Sequence, residues 1–202
     1  WGVAGDLGGS SLELTGLEGR SAQQAITLPL GPLAVNAAGA KAEELRDRVD
    51  AHLERAAEVL SQTGDTFYAV GGAWRSFANL SMSMRSYPLR LLHEYEMSLD
   101  QVRKTAQFAM SQSESSLASV PGVSSKRAAT LPYAALLLER IMKSGRFKRV
   151  VFSAYGLREG VVCVSDPSLV EEGDPLLSGT EIMALSASPE PGFGPALAEW
   201  LE

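Results

Sequence analysis

The sequence predicts an α/β domain built on a mixed sheet of five strands flanked by helices. Three observations carry this reading. Short strands separated by glycine turns open the chain, amphipathic helical periodicity follows, and a β-branched strand closes the pattern near residue 150. Residues 2–7 read as a buried strand ending in Gly8-Gly9. Leu12 and Leu14 then alternate with Ser11 and Glu13, the period of a second strand, so Gly8-Gly9 reads as a hairpin turn. A third strand is expected over 24–30, closed by Gly31-Pro32. Leu45, Val49, Leu53, Ala56 and Leu60 recur at helical spacing among charged residues, which predicts a helix over 41–60. Residues 66–70 read as the fourth strand, and Gly71-Gly72 turns it into a helix over 73–80. The stretch 89–97 reads as extended, and Ser98 or Asp100 caps a helix through Met110. A long helical pattern covers 125–144, with Pro132 kinking it or sitting in its first turn. Arg149 to Ser153 is the fifth strand, and a last short helix is expected over 157–164.

A chain of 202 residues with 45% apolar side chains can enclose a core. No window is apolar and long enough to span a membrane. The sequence opens at Trp1, inside an apolar run and without an initiator Met, which suggests an excised piece. The single cysteine, Cys163, lies among valines and is expected to be buried; a reducing cytoplasm is the default location. Five of the ten prolines fall in the last 38 residues, so residues 165–202 read as a linker and the stub of a following helical region.

The net charge of −6 argues against nucleic acid as a partner. The charge is uneven, however. Residues 126–149 carry seven cations and one acid, a net +6, which leaves −12 for the rest. Arg127, Lys143, Arg146 and Lys148 could guide a polyanion, or they could be a solvated helix face.

The strongest chemical signal is Asp6-Leu7-Gly8-Gly9-Ser10-Ser11-Leu12-Glu13-Leu14. Glycines at a strand–strand turn let the backbone approach a phosphate, with successive N–H groups aimed at it. Ser10 and Ser11 add hydroxyl donors. Asp6 at a strand end could hold Mg²⁺ or orient a water, and Glu13 on the return strand supplies a second carboxylate. A plain hairpin with a solvated aspartate fits the same spacing. Gly71, Gly72 and Arg75 form a strand–turn–helix unit that serves either phosphate binding or packing. Tyr155-Gly156-Leu157-Arg158-Glu159-Gly160 is the third element; Arg158 and Glu159 could be an ion pair or a cleft wall. His52 is expected to be exposed and His93 structural, and the two are not at metal-ligand spacing.

In combination these elements resemble the second domain of the exopolyphosphatase and guanosine pentaphosphate phosphatase (Ppx/GppA) family, over about residues 1–164. The matching stretches are Asp6 to Leu14, Gly71 to Arg75, Tyr155 to Gly160, and Val120-Pro121-Gly122-Val123 followed by Arg127. The family's third glycine is Ser10 here. The resemblance implies a ribonuclease H-like domain of the actin-like ATPase superfamily, facing a partner domain across a cleft. It implies Mg²⁺-dependent hydrolysis of terminal phosphate from polyphosphate or guanosine pentaphosphate. Asp6 and Glu13 would then be catalytic and metal-binding, with Gly8, Gly9, Ser10, Ser11, Gly71, Gly72 and Arg75 cradling phosphate. The family's glutamate base lies upstream of the Asp-Leu-Gly-Gly motif, so the missing N-terminal domain would supply it and this piece alone would be inactive. A homodimer is a compatible assembly. The competing reading from another class is a non-catalytic module that binds polyphosphate or guanosine tetraphosphate. A sugar-kinase-like half of the same superfamily is disfavoured by the Tyr155 to Gly160 stretch.

Overall fold

The computed structural model describes residues 1–19, 21–37, 40–61, 64–88 and 91–165, together with 190, 192, 193, 196 and 200. Most of the proline-rich tail, and the side chain of Cys163, lie outside the described residues. The chain divides into two compact units, 1–156 and 157–202. The division falls ahead of the boundary expected after residue 164.

The first unit holds three strands in a meander: β1 (Gly2–Leu7), β2 (Leu12–Glu18) and β3 (Ser21–Leu28). Helices α1 (Ala42–Arg55) and α2 (Ala57–Leu60) follow, then β4 (Thr66–Val70), α3 (Gly72–Met84) and β5 (Tyr95–Ser98). Helices α4 (Leu99–Ser111), α5 (Glu114–Ala118), α6 (Ser125–Ala128) and α7 (Leu131–Ser144) lead to β6 (Arg149–Phe152). Helix α8 (Leu157–Ser165) belongs to the second unit. The sheet has six strands rather than five, in the order β3-β2-β1-β4-β6-β5. The added strand, β5, overlaps the end of the stretch 89–97 read as extended and pairs antiparallel with β6 at the edge. Strands β1, β4 and β6 are parallel neighbours, while β2 and β3 complete an antiparallel hairpin and meander. The result is an α/β unit on a mixed sheet flanked by helices, the class the sequence predicts.

Two expected helices are each divided. The pattern over 41–60 tightens at Ala56, whose N–H bonds the Leu53 carbonyl three residues back, separating α1 from α2. The pattern over 125–144 separates into α6 and α7, and Pro132 sits in the first turn of α7, where a missing N–H costs nothing.

Period-two alternation sorts the sheet into two faces. Val3, Leu7, Leu12, Leu14, Phe67, Ala69, Val150, Phe152, Tyr95 and Met97 share the buried face, in register across five strands. Helices α3 and α7 pack over it. Phe67 meets Trp74 edge-on at 5.5 Å between ring centroids and Phe147 at 5.6 Å. The Trp74 indole N–H donates to the Ala134 carbonyl at 3.0 Å, tying α3 to α7. Gly5 is required here, because a Cβ would overlap the Phe67 ring. Helix α1 buries Leu45, Val49 and Leu53, and its Asp50 takes a bidentate pair of 2.6 Å bonds from Arg140 of α7. The opposite face, with Ala4, Asp6, Glu13, Thr15, Tyr68, Val70 and Val151, is half-buried. Among the described residues no helix is long and apolar enough to cross a membrane.

Phe67 anchors this core at three points, so Phe67→Ala should lower the unfolding free energy by about 3–5 kcal/mol, the usual cost of deleting a buried aromatic ring. Urea denaturation monitored through the tryptophans measures it. A loss under about 1 kcal/mol would place the core elsewhere.

Candidate functional site

Parallel strands bring their carboxyl ends to one edge, the place where α/β sheets bind ligands. Here β1, β4 and β6 end together, and each is followed by one of the turns singled out in the sequence. The β1–β2 loop spans Gly8 to Ser11, because Leu7 and Leu12 are the last paired residues. It is closed by the Gly8 N–H on the Ser11 carbonyl at 3.0 Å. A second bond runs from the Leu33 N–H to the Gly9 carbonyl at 2.9 Å. The amides of Gly9 and Ser10 take no part in these closing bonds, and both residues are exposed. Gly8 is half-buried. The tight contact of the loop is beneath it: a Cβ on Gly31 would run into the N, Cα and C atoms of Ser10.

Asp6 and Glu13 face each other across the β1–β2 ladder on the half-buried side of the sheet. Like charges directly opposite one another destabilise a sheet. Burial raises the Asp6 carboxyl above the ordinary aspartate value, Glu13 adds to the rise, and the Arg75 guanidinium opposes it. Glu13 accepts a short hydrogen bond from the Ser11 hydroxyl, 2.6 Å to Oε1. The structure therefore gives Ser11 a partner within the site, where the sequence suggested only a donor.

The second turn lies against the first. Asp6 pairs with Val70, so Gly71 falls beside the end of β1. Gly71 has φ +110°, and a Cβ there would sit 2.6 Å from the Leu7 carbonyl oxygen and 3.1 Å from Asp6 Oδ1. Gly72 opens α3, and the Arg127 guanidinium occupies the space its Cβ would fill. Arg75, one turn on, is half-buried and donates from Nη1 to the Ala154 carbonyl at 3.2 Å. It thereby joins α3 to the loop after β6 while its charge acts on Asp6.

Arg127 reaches this edge through the Val120–Val123 turn. Gly122 has φ +83° and its carbonyl accepts from Asn79 Nδ2 of α3 at 2.9 Å, which fastens the turn to α3. The sequence grouped Arg127 with Lys143, Arg146 and Lys148, but these four do not form one patch. Helix α7 runs away from the site edge, and its 14 residues span about 20 Å. Lys143, Arg146 and Lys148 line a shallow groove with Ser98, Asp100 and Phe147 at the other end of the sheet. Lys148 is there because its N–H bonds the Asp65 carbonyl just before β4 begins, and its ammonium lies 3.4 Å from the Asp65 carboxylate.

Arg158 and Glu159 open α8 in the second unit, Arg158 exposed and Glu159 half-buried. His93 is structural, as expected: its Nδ1 accepts the Ala154 N–H at 3.4 Å and its ring lies 4.5 Å from that of Tyr155. His52 is half-buried rather than exposed, and its ring lies beside Arg55. Among the described residues no group of three or more His, Cys, Asp or Glu side chains forms a ready metal cage.

Residues 2–168 match the model of the Ppx/GppA phosphatase family. No curated protein sequence matches the chain significantly. Among solved structures, the fold is similar to the Ppx/GppA family member of Aquifex aeolicus, with a TM-score of 0.68 and 21% identity over 85% of this chain and 57% of that one. It is also similar to an exopolyphosphatase from Cytophaga hutchinsonii, with a TM-score of 0.71 and 16% identity over 80% of this chain and 55% of that one. The chain thus spans a little over half the length of these structures. A family match over residues 2–168, on a sheet that gathers Asp6, both glycine turns and Arg127 at one edge, means that the chain belongs to the Ppx/GppA phosphatase family.

Proposed function

We propose that this chain is the second-domain, phosphate-binding half of an enzyme that hydrolyses terminal phosphoanhydride bonds of polyphosphate or guanosine pentaphosphate. The observation that carries the proposal is the meeting of the Gly8–Ser11 loop and the Gly71–Gly72 turn at the ends of adjacent parallel strands, with Asp6 between them. The amides of Gly9 and Ser10 donate to phosphate oxygens. Arg127, resting on Gly72, balances phosphate charge from the other side.

Two carboxylates suit Mg²⁺, which takes one or two from protein and completes its shell with water and phosphate. What supports Asp6 in that role is that burial and the facing Glu13 both disfavour its bare charge. Asp6 and Glu13 would hold the ion, which supplies charge neutralisation between attacking and leaving oxygens. Ser11 keeps Glu13 oriented through the 2.6 Å bond. The opposing wall and the base that activates water come from a partner domain, so the 202-residue chain alone binds anions weakly and turns over little. The cytoplasm is the proposed location, and one protomer could pair with another.

Phosphate release from polyphosphate and from guanosine pentaphosphate, by the protein carrying the complete cleft, tests the reading. Asp6→Asn is expected to lower turnover at least ~100-fold, typical of a positioned catalytic group. Near-normal turnover would reassign Asp6 to structure. The same variant should be more stable than wild type at neutral pH without added metal. The folded chain holds the Asp6 proton more tightly than the unfolded chain does, so wild-type stability falls as pH rises from the ordinary aspartate value through the raised one. Asn at position 6 removes that fall, which urea midpoints across pH 3–7 would show as a flatter profile.

The 202-residue chain alone should release phosphate more than about tenfold more slowly than the protein with both walls, since half a cleft neither positions nor preorganises. Comparable rates would sink the half-site reading.

The far basic groove can meet a long substrate only, given the ~20 Å length of α7. Reversing charge at Lys143 and Arg146 should weaken long polyphosphate, more so at low salt, and leave short chains unchanged. Equal effects on both lengths would leave these cations as solvated surface.

A further inference from the structure

We infer that Tyr133 is a positioning residue for the glycine loop, acting through the Leu30–Leu33 turn as a clamp. The inference deepens the proposed phosphate site and rests on that reading. Tyr133 lies in α7, is 3% exposed, and donates its hydroxyl to the Leu30 carbonyl at 2.7 Å, across 103 residues of chain. Leu30 is fully buried, so this carbonyl has no access to water in compensation. The next residue, Gly31, presses its Cα against the backbone of Ser10 so closely that no side chain fits. Two residues on, the Leu33 N–H holds the Gly9 carbonyl at 2.9 Å. A loop whose own closure rests on the Gly8–Ser11 bond is thus fixed from below by a contact and a hydrogen bond. Both belong to a turn that Tyr133 anchors.

The clamp has a second anchor and a second consequence. Val35, at the end of the turn, is buried; its N–H bonds the Gly31 carbonyl at 3.2 Å, and its carbonyl accepts from Arg48 of α1 at 3.3 Å. Meanwhile Arg127, six residues before Tyr133, sits on Gly72 of the other turn. The α6–α7 segment therefore bears on both glycine turns, on one directly through Arg127 and on the other through Tyr133 and the Leu30–Leu33 turn. It sets the distance between two surfaces that must grip one phosphate, and such spacing governs affinity more steeply than any single donor. Burial holds the Tyr133 phenol protonated far above neutral pH, so it remains a donor throughout the working range.

The experiment uses the ¹⁵N-labelled 202-residue chain as wild type, Tyr133→Phe, Gly31→Ala and a core control, Phe77→Leu. Phe77 is fully buried, with its ring 6.4 Å from that of Phe152, and makes none of the bonds that hold the loop. Amide exchange at Leu33 reports the clamp without ligand, and shifts at Gly9 and Ser10 report titration with tripolyphosphate. Tyr133→Phe is expected to speed Leu33 exchange beyond any change at core amides. It should weaken tripolyphosphate about three- to tenfold, the range one lost hydrogen bond spans. Gly31→Ala should shift Gly9 and Ser10 in the ligand-free chain and weaken binding too, so the inference stays testable if either variant folds poorly. Phe77→Leu should change neither readout selectively. Unchanged Leu33 exchange and unchanged affinity in Tyr133→Phe overturn the clamp, as does an equal loss of affinity in the core control. A wild-type chain whose Gly9 and Ser10 amides ignore tripolyphosphate overturns the phosphate-loop reading instead, while Leu33 exchange still decides whether the clamp exists.

Discussion

The parallel pairing of β1 with β4 is the constraint on which the site depends. Its register sets Asp6 opposite Val70, so the chain leaves both strands at the same level and both glycine turns begin there. A slip of one residue would send Asp6 to the helix-covered face and carry Gly71 away from Leu7. The approach of Gly71 to the Leu7 carbonyl, with φ at +110°, admits no other residue without strain. Covering one face with α3 and α7 fixes that register, because Val3, Phe67 and Val150 can be buried together in only one alignment.

The two faces of the sheet divide the work. The covered face holds the aromatic core around Phe67, Trp74 and Phe147, where packing supplies stability. The half-buried face holds Asp6 against Glu13, a cross-strand pair of like charge that costs stability. Nothing in the packing needs two carboxylates there. That an unfavourable pair is kept at the carboxyl edge of a parallel sheet, beside two glycine turns, is what motivates the proposed cation and phosphate site.

Much of this was legible in the sequence because it is local. Strand alternation, the glycine turns and the caps depend on neighbouring residues, and the six motif positions from Asp6 to Ser11 fold as a hairpin end as read. What the sequence hid is set by contacts between distant residues. Strand β5 is four residues long and pairs only because β6 offers it an edge. The basic run looked like one patch because its members are close in sequence. Helix α7 begins just after Arg127 and carries Lys143 to the other end of the sheet, since a helix separates along its axis what a linear count keeps together. His52 similarly looked solvent-facing on charge pattern, and packing of the helix half-covers it.

The replacement of the family's third glycine by Ser10 shows how a loop redistributes its steric demand. Glycine is needed where backbone meets backbone, and in this loop that contact is made from the partner side, by Gly31 against the Ser10 main chain. The Ser10 residue itself is exposed, and the atoms of it that crowd Gly31 are main-chain N, Cα and C. A side chain at position 10 is therefore compatible with the loop, whereas one at position 31 is not. The loop keeps its conformation without the third glycine because the steric requirement has been met one strand away, at Gly31.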